Sequence, residues 1–281
     1  MSTDDTSQVS DAATTTGDGP TRADRVRQVT VLIGAVVAIA GAAVGSGAAG
    51  GQPIQDAAGG ALAADATVLA PDSPAFSIWS VIYAGLAVFA VYQALPAQAT
   101  NDRLRSVSWW VLASMLLNAA WIGVIQGGWL WLSVVVIALL VAVLAVILVR
   151  LVRIPAGGWF ESLVTDGTVG LYLGWASVAT LADVAATLTA EDIGTSADAS
   201  IWGVVVLGAG TALAIAYAIF AASRPTVAIA IGLAMAWGIG WISAGRFNGP
   251  LIDETVAVAA AVAAAVALVA PLVTVGMRRR G

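Results

Sequence analysis

Long apolar stretches recur along this chain near residues 28 to 48, 76 to 95, 107 to 126, 129 to 151, 163 to 188, 200 to 222, 226 to 245 and 254 to 276. Each approaches or exceeds the roughly 20 apolar residues that a helix needs to cross a bilayer core. Backbone polar groups in lipid must be satisfied inside the segment, which favours helices here over strands. The pattern therefore predicts an all-α, polytopic membrane bundle of about eight transmembrane helices. The first stretch is too long for the about 7 to 15 residues of a cleavable signal core, so it reads as a retained span.

The polar positions orient the bundle. Arg22, Arg25, Arg27, Arg103, Arg105, Arg150, Arg153, Arg224, Arg278, Arg279 and Arg280 all fall on one side of an eight-crossing pattern, and Arg246 alone falls on the other. The positive-inside rule then predicts a multi-pass cell-membrane protein with cytoplasmic N- and C-termini. Residues 1 to 24 are rich in Ser, Thr, Asp and Gly and read as a disordered cytoplasmic tail. The opposite connections are acidic, and the longest of them, about residues 50 to 75, is rich in Ala, Gly and Asp. A connection of that length is usually functional or disordered, and here it is placed to lid a cavity.

Composition removes whole classes of chemistry. The chain is 59% hydrophobic and 10% charged, with no cysteine, histidine or lysine. No disulfide, thiolate nucleophile, imidazole ligand or Schiff base is available, so metal sites and a retinal chromophore are not expected. The net charge of −5 comes from the tail and the acidic connections and gives no basic patch for nucleic acid. The pair Gly41 and Gly45 permits close helix association within or between chains equally, which leaves a homo-oligomer open.

Polar and aromatic stripes stand out in three spans. Phe76, Trp79 and Tyr83 are spaced i, i+3, i+7 in the second. Asn118 and Trp121 share a face of the third. Tyr172, Trp175 and Asp183 fall within roughly an 80° arc of the fifth, and Thr180 flanks it. Orientation brings these three stripes to one depth, in the half of the bundle away from the arginines, and the seventh span adds Trp237 and Trp241 at i, i+4. Trp109, Trp110, Trp129, Trp131, Trp159 and Trp202 lie near span ends and read as the interfacial belt. Asp183 is an ionisable group inside a span, near enough to the outer boundary for water to reach it, and by default a functional candidate. Glu161 and Asp166 are expected to form surface ion pairs with Arg150 and Arg153. Arg246 is expected to pair locally with Asp253 and Glu254.

The segments AFSIWSVIYAGLAVFAVYQALP from Ala75, LNAAWI from Leu117 and LYLGWASVATLADVA from Leu171 resemble the TspO/MBR family of tryptophan-rich sensory or translocator proteins, in its longer bacterial branch. The resemblance covers about residues 28 to 190. It implies a five-helix core over residues 25 to 190, with residues 191 to 281 forming three additional helices. It also implies a pocket lined from W-x-x-x-Y (Trp79, Tyr83), N-x-x-W (Asn118, Trp121) and Y-L-x-W (Tyr172, Trp175), capped by the first loop. Asp183 departs from the family, which commonly carries Asn there, and Leu171 replaces its usual Pro.

The expectation that follows is an integral membrane binding protein for a flat apolar ligand such as a tetrapyrrole, serving sensing, trafficking or scavenging. Such a porphyrin or haem would be held non-covalently and without histidine ligation. Its partners are membrane lipid and an apolar small molecule. The ligand-binding candidates are Phe76, Trp79, Tyr83, Asn118, Trp121, Tyr172, Trp175, Thr180 and Asp183. Two alternatives stand beside it. One is a proton-coupled transporter using Asp183, against which no inverted repeat or broken midplane helix is visible. The other is a light-dependent porphyrin-degrading enzyme, although no nucleophile and base pair is present for ordinary catalysis.

Overall fold

A computed structural model describes residues 19–46, 50, 52–193 and 199–280. Among them are eight long helices and no strands: α1 Arg22–Gly45, α2 Ile78–Ala94, α3 Asp102–Gln126, α4 Leu130–Arg153, α5 Trp159–Ala190, α6 Ala199–Phe220, α7 Pro225–Asn248 and α8 Glu254–Arg278. All eight are long and apolar enough to cross a membrane. Most of the expected tail lies outside the described residues. Its end does not follow expectation, because α1 begins at Arg22, where Thr21 and Asp24 form a reciprocal capping box that satisfies the first free N–H groups.

The first five helices close into a ring in the order α1, α2, α5, α4, α3. The remaining three do not form a separate body. α7 packs along the outside of α5, and α8 then packs against both α7 and α6. This makes α5 a shared helix, with neighbours in the ring on one side and α7 on the other. The α5–α7 contact is close because α5 presents Gly170 and Gly174 one turn apart. A Cβ built on Gly174 would lie 2.5 Å from the Ile231 carbonyl oxygen, and one on Gly170 2.8 Å from that of Val227. Lipid supplies no hydrophobic drive between helices, so backbone approach of this kind carries the association. The pair Gly41 and Gly45 behaves differently, since a Cβ on Gly45 would meet Ile122 of α3 whereas one on Gly41 would meet nothing.

The arginine-bearing end is fixed by buried polar contacts. Arg27 donates to the carbonyls of Gln98 and Ala99, and Gln28 and Gln93 exchange side-chain-to-backbone hydrogen bonds of 2.9 and 3.0 Å across α1 and α2. Glu161 and Asp166 are not the surface partners of Arg150 and Arg153 that the sequence suggested. Both are buried and both bind Arg103, which also donates to the Ile154 carbonyl. The reason is local: α5 opens with a π-helical turn, Ser162–Gly167, that lies against α2 and α7 and buries Asp166 within the bundle.

Candidate functional site

The arginine-poor end of the ring holds a narrow, partly open cavity of about 30 Å³. Phe76 at the approach to α2 and Trp121 of α3 form part of its wall, and α5 supplies Trp175, Val178, Ala179, Ala182 and Ala186. Loop residues Ala61, Leu62, Thr67, Ala70 and Pro71 complete the lining. The α5 residues follow i, i+3, i+4, i+7, i+11, one helical face on which small side chains succeed the indole. That face leaves the space that the larger residues bound.

Beneath the cavity the aromatic stripes meet. Phe76 packs edge-on against Trp175 at 5.9 Å, and Trp79 packs edge-on against both Trp175 and Tyr172 at 6.0 Å while stacking on Tyr83 at 5.3 Å. These are the offset and edge-to-face arrangements that ring quadrupoles favour. Asn118 donates to the Tyr83 hydroxyl at 2.9 Å, and the Tyr172 hydroxyl donates to the Ser114 carbonyl at 3.0 Å. The stripes therefore converge as their spacing implied, but in two layers. Phe76, Trp121 and Trp175 line the cavity, while Trp79, Tyr83, Asn118 and Tyr172 buttress it. Thr180 does neither, since its hydroxyl donates back to Ala176 of its own helix.

Asp183 is not the water-reachable carboxylate that its depth suggested. It is fully buried and does not border the cavity. Its Oδ2 accepts from the Trp121 indole N–H at 3.1 Å and its Oδ1 faces the Ser133 hydroxyl at 2.9 Å, so one side chain joins α3, α4 and α5. Ser133 carries no chemical signature in its sequence context, and nothing short of the fold would have selected it. Asparagine keeps an acceptor for Trp121, so Asp183→Asn is expected to change stability by less than about 1 kcal/mol. Asp183→Leu strands the buried indole N–H and is expected to cost about 1–3 kcal/mol. Thermal unfolding in detergent, followed by circular dichroism, measures both.

The loop is held shut mainly from α7. Arg246 is fully buried there and donates to the carbonyls of Thr67, at 2.8 Å, and Ala64. Trp237 donates its indole N–H to the Ala75 carbonyl at 2.9 Å, and the Asp72 amide donates to the Trp241 carbonyl. Arg246 is thus not the local loop pair expected from its neighbours Asp253 and Glu254. The Asp253 side chain instead caps α8 by accepting from the Val256 amide. On the other side of the loop, Gln126 of α3 donates to the Gly45 and Gln52 carbonyls.

One of the residues that line the cavity keeps an unpaired polar atom. Trp175 is 1% exposed, yet its indole Nε1 donates to nothing among the described residues. A buried donor left unpaired costs about 1–3 kcal/mol, so native structures keep few of them.

A family model described as TSPO-like protein matches residues 30–273. No curated protein and no solved structure matches the chain. The family match does not stop near residue 190, where the sequence resemblance ended, but runs through α6, α7 and nearly all of α8. Joined to a ring of five membrane helices with its aromatic stripes turned inward, it shows that the chain belongs to the TSPO-like family.

Proposed function

We propose that this protein binds a flat apolar ligand of the tetrapyrrole class in the cavity under the residue 52–75 loop, as the family resemblance implies. The observation that carries this reading is the apolar, aromatic-lined space itself, one of whose lining residues, Trp175, keeps an unpartnered indole N–H. Rigid rings provide broad contact area at low entropic cost, and a single unpaired donor gives a ligand acceptor one point of orientation. With neither histidine nor cysteine in the chain, the ring system is held by its faces, and the protein offers no imidazole or thiolate to a central metal.

Ligand pockets usually measure about 300–1,000 Å³, so a cavity of about 30 Å³ must widen to take such a ligand. Binding requires the loop to lift, and α7 sets the cost of lifting it. The arginine-rich end is assigned to the cytoplasm by the positive-inside rule, so ligand enters from the opposite face or from the lipid beside it. The hydrogen bonds of Asp183 to Trp121 and Ser133 support a bracing role among three helices. A proton-coupled transporter would instead depend on its titration, and Asp183→Asn would then abolish coupling.

Titration of the protein in lipid nanodiscs with protoporphyrin IX, read from the porphyrin absorbance band, tests the reading. Saturation at one per chain is expected. Trp175→Phe keeps the aromatic face and removes the donor, which should weaken binding about fivefold, equivalent to one net hydrogen bond of about 1 kcal/mol. Unchanged affinity in that variant would remove Trp175 Nε1 from the site.

A further inference from the structure

The arginine-bearing end of the bundle has a second cavity with different chemistry. It is an open groove of about 380 Å³, lined by Ser106, Val146, Val149, Arg150, Arg153 and Ile154. Val146, Val149, Arg150 and Arg153 are spaced i, i+3, i+4, i+7, so α4 contributes one stripe that runs from apolar to cationic toward the helix end. Ser106 of α3 lies across from it.

The carboxylates nearby are already engaged. Asp24 pairs with Arg27 and Arg105, Asp102 with Arg105, and Glu161 and Asp166 with Arg103. Among the described residues, Arg150 and Arg153 have no carboxylate partner. Arg150 gives a single hydrogen bond, to the Ser106 carbonyl at 3.1 Å, and lies 5.3 Å above the Trp110 ring, which holds the guanidinium at the groove by a cation–π contact. Arginines in a last helical turn complement the helix dipole, and that alone accounts for their residue type. It does not account for a groove between α3 and α4 that sets two uncompensated guanidinium groups beside valine side chains.

We propose that this groove binds the phosphate headgroup of an anionic phospholipid from the adjoining leaflet. The phosphate sits between Arg150 and Arg153, and the start of an acyl chain lies along Val146 and Val149. Guanidinium groups suit phosphate oxygens because they donate in pairs, and basic pockets between transmembrane helices are recurrent sites for anionic headgroups. Trp109, which is exposed on the neighbouring helix, marks this as interface depth.

Native mass spectrometry of the purified full chain, delipidated and then offered equimolar phosphatidylglycerol and phosphatidylcholine, tests this. The wild type should retain the anionic lipid preferentially. Each arginine near an anionic surface contributes a factor of about five, so the Arg150→Gln, Arg153→Gln variant should lose roughly twenty-fivefold of that preference. The Arg278→Gln, Arg279→Gln variant, which removes as much charge from the same end, should keep it. Val149→Trp fills the groove without changing charge and should also lose retention, with thermal melting of every variant verifying that it is folded. Equal retention by the Arg150, Arg153 variant, or equal loss in the Arg278, Arg279 variant, would overturn the proposal. So would displacement of the lipid by millimolar inorganic phosphate, which would make this a free-phosphate site.

Discussion

Gly174→Val is expected to be among the most destabilising single substitutions in this chain. Its Cβ alone would lie 2.5 Å from the Ile231 carbonyl oxygen and 2.9 Å from the Ala234 Cβ. The first of these atoms is backbone and the second is fixed to it, so no flexible side chain can move aside. The helices must separate, and overpacking at such a site costs about 3 kcal/mol. In the membrane no hydrophobic drive opposes that separation, because lipid tails are as apolar as the side chains they would replace. The effect extends to the cavity, since α7 carries the residues that fasten the loop. Thermal melting should fall sharply, and hydrogen exchange across residues 52–72 should accelerate in the same variant. Gly41→Val is the matched control. That glycine faces open space, and its substitution should leave the melting temperature nearly unchanged.

Arg246→Met is expected to release the loop while leaving the bundle assembled. The side chain is fully buried, with its two terminal nitrogens bound to the Thr67 and Ala64 carbonyls. Methionine fills comparable apolar space and donates nothing. Hydrogen bonds from a charged donor contribute about 1.5–3 kcal/mol each, and two are lost. Some of that loss is recovered when the freed carbonyls reach water as the loop lifts, so opening should become easier by about 3 kcal/mol. Exchange of the amides in residues 52–72 should therefore rise roughly a hundredfold under conditions where opening is a rapid pre-equilibrium before exchange. Ligand association should quicken as well, because entry waits on the same motion. Unchanged exchange would mean that the Trp237 and Trp241 contacts hold the loop without Arg246.

Apolar length made the eight helices legible in the sequence, because a span needs about 20 apolar residues and a single segment in lipid satisfies its backbone only as a helix. The inward convergence of Trp79, Tyr83, Asn118, Trp121, Tyr172 and Trp175 was legible for the same reason, since spacing and depth follow from helical geometry. What escaped the sequence was pairing between distant segments. Asp183 looked exposed because it stands near a span end, but Trp121 and Ser133 reach it from two other helices. Arg246 looked like a loop residue because acidic residues follow it, but its acceptors lie about 180 positions earlier in the chain. Glu161 and Asp166 looked like partners for the nearest arginines in sequence, but the π turn directs Asp166 toward Arg103. No local pattern encodes such contacts. The three additional helices were recognisable as spans, but their hold on the loop over the cavity rests on Gly170 and Gly174, whose role appears only once α7 lies against them.

Filling the cavity tests most directly whether it is the binding site. Ala182 lies in its wall on α5, clear of the aromatic layer beneath. Ala182→Phe occupies the space while leaving Phe76, Trp79, Trp121 and Trp175 in place. Protoporphyrin IX titrated into wild type and this variant in matched nanodiscs should saturate at one per chain in the first and show no saturable binding in the second. Saturation of both with equal affinity would contradict a site in this cavity, and a linear response in both would mean that the porphyrin only partitions into lipid.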